Sequence, residues 1–165
     1  MATEYSFDAV SRVDMSEVHN AVQQTTKEVA TRFDFRGSKA GVELDAKANT
    51  LTLVADDAQQ LRSLLELLQQ RLAKRGVSLR ALDAGNPEAA GGNTLRQVIT
   101  LRQGIPIEKA REMSRLLRES KLKVTSQFQQ DQLRVTGAKK DDLQAAMTLL
   151  RQQDLDLDLQ FVNYR

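Results

Sequence analysis

Gly85-Asn86-Pro87-Glu88-Ala89-Ala90-Gly91-Gly92 is the only glycine- and proline-rich stretch of the chain, and the same order of elements is legible on either side of it. Such a stretch reads as a linker or flexible loop. Before it, Tyr5, Phe7 and Ala9 alternate with Ser6, Asp8 and Val10, as in a strand with one buried face. Asp14 followed by Glu17 has the form of a helix N-cap with a capping-box partner. Val18, Ala21, Val22, Thr25, Val29 and Phe33 then recur at helical spacing. Short strands over Lys39–Asp45 and Thr50–Ala55 flank a polar turn at Ala46–Asn49. Leu61, Leu64, Leu65, Leu68 and Leu72 form the apolar stripe of a second helix, closed by Lys74, Arg75 and Gly76. A strand over Val77–Leu82 completes the set.

After Gly92 the order returns. Leu95, Ile99 and Leu101 mark a strand, and Ile107–Arg118 a helix with Ala110, Met113 and Leu117 inward. Leu122–Phe128 and Gln132–Thr136 predict a hairpin around Gln130-Asp131. Leu143, Ala146, Met147 and Leu150 carry the next helix, and Leu155–Val162 the last strand. Strand–helix–strand–strand–helix–strand, twice over, predicts an α+β tandem of ferredoxin-like βαββαβ plaits. The expected modules are residues 1–84 and 93–165, with 85–92 between them. One such unit of about 75 residues is marginal by burial alone, which gives a reason for two.

The bulk composition excludes several classes of function. With no cysteine, disulfides, thiolate catalysis and cysteine metal sites are ruled out. Met1–Val13 lacks the apolar core of a signal peptide, and no apolar run reaches a membrane span, so a soluble, cytoplasmic protein is expected. Lysine and arginine number 24 against 22 acids, so a polyanion can be held only where bases cluster within about 8 Å, one screening length.

No catalytic set, metal site or cofactor is expected. His19 is the sole histidine, and relay and metal sites both need partners. No phosphate-binding glycine loop is present. Asp154, Asp156 and Asp158, alternating with leucines, read as a solvated strand face or a charged sheet edge rather than a cation site. Phe33 and Phe35 read as core plugs at a module junction.

Basic residues do cluster. Arg111, Arg115 and Arg118 share one helix face, and Lys121 and Lys123 follow directly. The hairpin alternation that buries Val124, Phe128, Leu133 and Val135 turns Lys123, Thr125, Gln127, Arg134 and Thr136 to the other side, the open face of a plait unless something covers it. Bases, amides and hydroxyls of this kind suit phosphates, sugars and base edges. Aromatic residues are only 4% of the chain, and Gln132–Gly137 contains none, so base stacking of the RRM type is not expected.

Several blocks resemble one bacterial family. Ser6-Phe7-Asp8, Val13-Asp14 and Thr31-Arg32-Phe33-Asp34-Phe35-Arg36-Gly37 are similar to the opening motifs of the YajQ family. Lys74-Arg75-Gly76, Gln103-Gly104-Ile105, Ser120–Val124, Leu133–Gly137, Asp141–Gln144 and the ending Phe161–Arg165 follow in the family's order. The resemblance implies two ferredoxin-like modules exchanging their N-terminal strands, and a nucleotide-binding protein that is not an enzyme. It also implies nucleotide, RNA or cyclic di-GMP as ligand. The chain departs from the family's usual pattern at Ala138 after Gly137, and at Gly92-Asn93-Thr94-Leu95.

The expected function is therefore nucleotide or nucleic-acid binding without catalysis. Phosphates would be gripped by Arg32, Arg36, Lys74, Arg75, Arg111, Arg115, Lys121, Lys123 and Arg134, with Thr125 and Gln127 as hydrogen-bond donors. The competing expectation is a cyclic di-GMP-responsive regulator acting through a protein partner such as a transcription factor.

Overall fold

A computed structural model describes residues 4–165. Met1–Thr3, part of the stretch read above for a signal peptide, lie outside the described residues. The elements in chain order are β1 (Tyr5–Val10), α1 (Met15–Thr31), β2 (Gly41–Asp45), β3 (Thr50–Ala55), α2 (Ala58–Lys74), β4 (Leu82–Ala84), β5 (Glu88–Ala90) and β6 (Thr94–Leu101). They continue as α3 (Ile107–Glu119), β7 (Val124–Gln129), β8 (Gln132–Gly137), α4 (Lys140–Gln152) and β9 (Gln160–Val162).

The chain forms two compact units. The first takes the residues up to Arg12 together with Gln103–Arg165, and the second takes Val13–Arg102. In the first, an antiparallel sheet runs β7-β8-β1-β9 and carries α3 and α4. In the second, the path is β2-β3-β6-β4, with β5 also on β6, and the sheet carries α1 and α2. Each unit has the strand order of a ferredoxin-like plait. β1, which precedes α1 in sequence, pairs with β8 and β9, whereas β6, which precedes α3, pairs with β3 and β4. The compact units therefore differ from the sequence modules 1–84 and 93–165 by an exchange of first strands.

Local chemistry accounts for most boundaries. Asp14 Oδ1 accepts from Ser16 N at 3.0 Å and caps α1. Glu17 takes contacts from Asn20 and Arg75. α2 ends in a Schellman turn: Gly76, at φ +82°, bonds back to Ala73, and Val77 bonds to Leu72. Gln130 and Asp131 both have positive φ, as a two-residue hairpin turn requires, and join β7 to β8. The loop before α3 seats on that turn through Ile105 N to Asp131 O, and a Cβ on Gly104 would stand 2.7 Å from Asp131 Cβ.

Three sequence expectations need correction. Residues 85–92 are not a free linker: Glu88–Ala90 pair with Thr94–Arg96, and Gly85 N reaches Val98 O. The strand expected over Val77–Leu82 begins only at Leu82, because Ser78 caps a 3-10 turn over Leu79–Ala81. The last strand is confined to Gln160–Val162. Leu155 and Leu157 are buried, but Asp156 has φ +54°, which breaks the alternation.

Each unit has its own core. Leu51, Leu53, Ile99 and Leu101 meet Leu61, Leu64, Leu68 and Leu72 in one. Phe7, Ala9, Leu133 and Val135 meet Met113, Leu117, Leu143 and Leu150 in the other, where Phe7 and Phe161 pack edge to face at 5.3 Å.

Candidate functional site

The expected binding residues are divided between the units. Arg32, Arg36, Lys74 and Arg75 belong to the second, and Arg111, Arg115, Lys121, Lys123, Thr125, Gln127 and Arg134 to the first. Four of these cations already have carboxylate partners. Arg32 grips Asp34 at 3.0 and 2.7 Å, and Arg75 lies 3.8 Å from Glu17. Arg115 lies 3.3 Å from Glu119, and Arg134 bonds Asp8 at 3.0 Å. Among the described residues, Arg36, Lys74, Arg111, Lys121 and Lys123 make no ion pair.

The face of the first sheet turned from its helices is less open than the alternation suggests. The register aligns Gln127, Arg134, Asp8 and Val162 across it. Asp8 and Val10 are buried there all the same. Asp8 accepts from Arg134 Nε at 3.0 Å and from Asn163 Nδ2 at 2.8 Å. The Arg134 hydrogen bond holds its carboxyl below the usual carboxylate range, against the opposing effect of burial and with help from Asn163. Arg134 is thus committed to the structure at this point. Beside it, Gln127, Gln129, Gln130 and Gln132 close a polar depression of about 60 Å³.

The more capable site is a groove of about 470 Å³ between α3 and the edge strand β7. Its apolar lining is Ile107, Ala110, Leu117, Val124 and Phe128, and Ser114, Thr125 and Ser126 supply hydroxyls. Ser126 Oγ donates to Ser114 Oγ at 2.8 Å, joining strand to helix. Arg111 and Arg118 complete the lining and are solvent-exposed. They stand seven residues apart on one helix face, about 10 Å along the axis at 1.5 Å per residue. Neither has an ion pair among the described residues, and no described lining residue is acidic. Lys121, at φ +63° just past α3, bonds back to Arg118 O and extends the cationic end.

Sequence reading named Arg111 and Thr125 as contacts and placed Arg118 on the same basic helix face without counting it as a contact, and it missed the groove itself. The available signal was Ser126, a polar residue on the side of β7 that carries Val124 and Phe128. A second groove, of about 460 Å³, lies between α1 and the edge strand β2 of the other unit. It includes Val29, Phe35 and Val42, with Arg36 and Glu43 as its charged members.

His19 is exposed on α1, and among the described residues no cluster of three or more histidine, aspartate or glutamate side chains could hold a metal ion. No helix among the described residues is long and apolar enough to cross a membrane.

The fold is that of an α+β protein with ferredoxin-like sheets, and the groove between α3 and β7 has arginines as its only charged lining residues among those described. Comparison with known proteins narrows the class: the chain belongs to the family described as "Nucleotide-binding protein YajQ-like", which it matches over residues 5–165. A nucleotide-binding protein of Desulfitobacterium hafniense (strain DSM 10664 / DCB-2) is 50% identical over 165 residues, covering 100% of both chains. A nucleotide-binding protein of Geotalea uraniireducens (strain Rf4) is 50% identical over 160 residues, 97% of this chain and 98% of the other. One from Carboxydothermus hydrogenoformans (strain ATCC BAA-161 / DSM 6008 / Z-2901) is 48% identical over 165 residues, again 100% of both.

Proposed function

We propose that this chain is a non-enzymatic nucleotide-binding protein that holds its ligand in the α3/β7 groove. The observation that carries the reading is the combination of two exposed guanidiniums, without an ion pair among the described residues, and an apolar lining in a groove of nucleotide dimensions. Arg111 and Arg118 take phosphate oxygens as charge-assisted hydrogen bonds, and Arg is the side chain best shaped for that contact. Lys121 and Lys123 add point charges at the cationic end. The base lies against Phe128 and Ile107, and the hydroxyls of Ser114, Thr125 and Ser126 meet the sugar. The names of the full-length relatives support the ligand class.

The test is calorimetric titration of the whole chain with nucleoside 5′-mono-, di- and triphosphates and with the parent nucleosides. Affinity rises with phosphate number and falls at least tenfold in the Arg111→Ala/Arg118→Ala variant. Equal affinities in variant and wild type overturn the assignment. A cyclic dinucleotide and a short RNA belong in the same series. The RNA is expected to lose affinity steeply with salt, log K falling about 0.7 per single-strand phosphate contact.

A further inference from the structure

Phe33 continues the apolar spacing of α1 in sequence, yet the helix stops at Thr31 and Phe33 is 88% exposed. No other large hydrophobic residue among those described is so exposed; the next, Leu79, reaches 49%. The expectation that Phe33 plugs a core is therefore corrected, while Phe35, two residues on, is buried as expected.

The exposure is not a product of a loose segment. Residues 33–35 form a 3-10 turn in which Phe35 N bonds Arg32 O at 3.2 Å and Arg36 N bonds Phe33 O at 3.3 Å. The Arg32–Asp34 fork spans it, and Gln60 Nε2 reaches Asp34 O at 3.2 Å from α2. Phe35 anchors the turn from beneath, with the Arg32 guanidinium 5.0 Å from its ring centre. Ser38 closes the far side through Oγ to Phe35 O at 2.6 Å. Arg32, Asp34 and Phe35 are held by these contacts, and one phenyl ring is kept out in water, forgoing the stabilisation that burial gives.

The surroundings decide what the ring fits. Its sequence neighbours at the surface are Arg32, Asp34, Arg36 and Gly37, none of them apolar, and Phe33 itself is not among the residues that line the α1/β2 groove with Arg36 and Gly37. Protein interfaces are built on a contiguous, desolvated apolar centre, which one ring among charges does not supply. A single nucleobase needs only one aromatic face for stacking and a cation for the adjoining phosphate. Arg36 is exposed and, among the described residues, without an ion pair.

We propose that Phe33 is a stacking platform for an unpaired base of single-stranded nucleic acid, with Arg36 holding the neighbouring phosphate. The site shares no residue with the α3/β7 groove and does not rest on it. A duplex, whose bases are already stacked, is excluded.

The chain contains no tryptophan, so Phe33→Trp installs a lone reporter at the site. Its emission is to be followed against a deoxyadenylate dodecamer, an abasic dodecamer of equal charge, and the adenylate–thymidylate duplex. Quenching by the first alone is expected. Phe33→Ala should weaken dodecamer binding roughly five- to hundredfold with an unchanged melting temperature, and Arg36→Ala should flatten its salt dependence. Unchanged affinity in Phe33→Ala, equal quenching by the abasic strand, or no dodecamer binding at all overturns the proposal. The mononucleotide titration of Arg111→Ala/Arg118→Ala is read independently: its loss with an unaffected Phe33→Ala leaves the groove standing and removes the platform, and the reverse pattern does the opposite.

Discussion

The two grooves occupy the same place in their units, between the helix that follows the exchanged strand and the sheet's edge strand, and they enclose nearly equal volumes, about 470 and 460 Å³. Their charged members differ. The α3/β7 groove has Arg111 and Arg118 and no acid among its described lining, whereas the α1/β2 groove sets Glu43 against Arg36. A phosphate entering the first meets two cations. In the second it meets one cation and a like charge, which cancels much of the attraction. The plait supplies the cleft in both places, and a few side chains decide whether an anion is welcome, so function belongs to the site and not to the fold.

The sharpest way to break this contrast is to invert the charged groove. Arg111→Glu/Arg118→Glu should lower nucleoside triphosphate affinity on the order of a hundredfold, since each hydrogen bond to a charged group contributes about 1.5–3 kcal/mol. Arg36→Glu, the matching change in the other groove, should alter that affinity less than about twofold by titration calorimetry. Comparable losses in both variants would erase the distinction.

The units also differ in how their carboxylates are held. Asp8 is buried beneath Arg134 and Asn163, whereas Glu28, gripped by Arg71 through Nη2 to Oε1 at 2.7 Å, keeps a side chain 32% exposed. Asp8→Ala strands two donors and should cost the first unit about 1–3 kcal/mol in urea unfolding. The folded Asp8 carboxyl lies below its unfolded value of about 3.9, so its contribution is complete above that pH and is lost as pH falls through the lower folded value. Glu28 shifts in the same direction through Arg71, but solvent reaches it, so the second unit should lose less. Urea midpoints followed by NMR at β8 and β3 amides, from neutral pH down to about 3, check the order. Asp8→Asn should flatten the β8 curve.

Turning the mixed groove into a charged one is a gentler test. Glu43→Lys places two cations beside Val42 and should bring a weak second triphosphate site, about tenfold tighter than any binding there in the wild type. A stoichiometry that stays at one would show that Ser114, Ser126 and Phe128 matter more than charge. The smallest effect is expected at Ser126→Ala, which removes the hydroxyl bridge to α3. Because both groups border the groove and water can replace the partner, stability should fall by less than about 1 kcal/mol.

Much of this contrast was legible in the chain. The stripe Ala110-Met113-Leu117 and the alternation Leu133-Val135 fix which sides of α3 and β8 face inward, and that orientation leaves Arg111 and Arg118 outside. Pairing was not legible in the same way. Spacing shows that Arg32, Arg75 and Arg134 are polar surface positions, but only folding brings Glu17 to Arg75 and Asp8 to Arg134 across long stretches of chain. Phe33 failed for a different reason: helical periodicity continued to it, whereas the helix ends at Thr31 and Arg32 turns to an extended conformation.

The order of the helices and of the strands other than β5, and the inward faces of the helices, follow from the sequence alone, because periodicity and caps act over a few neighbouring residues. Tertiary structure decided which sheet each first strand joins and that Arg75 and Arg134 are spent on Glu17 and Asp8. Those outcomes depend on distances between residues far apart in the chain, which no local pattern encodes.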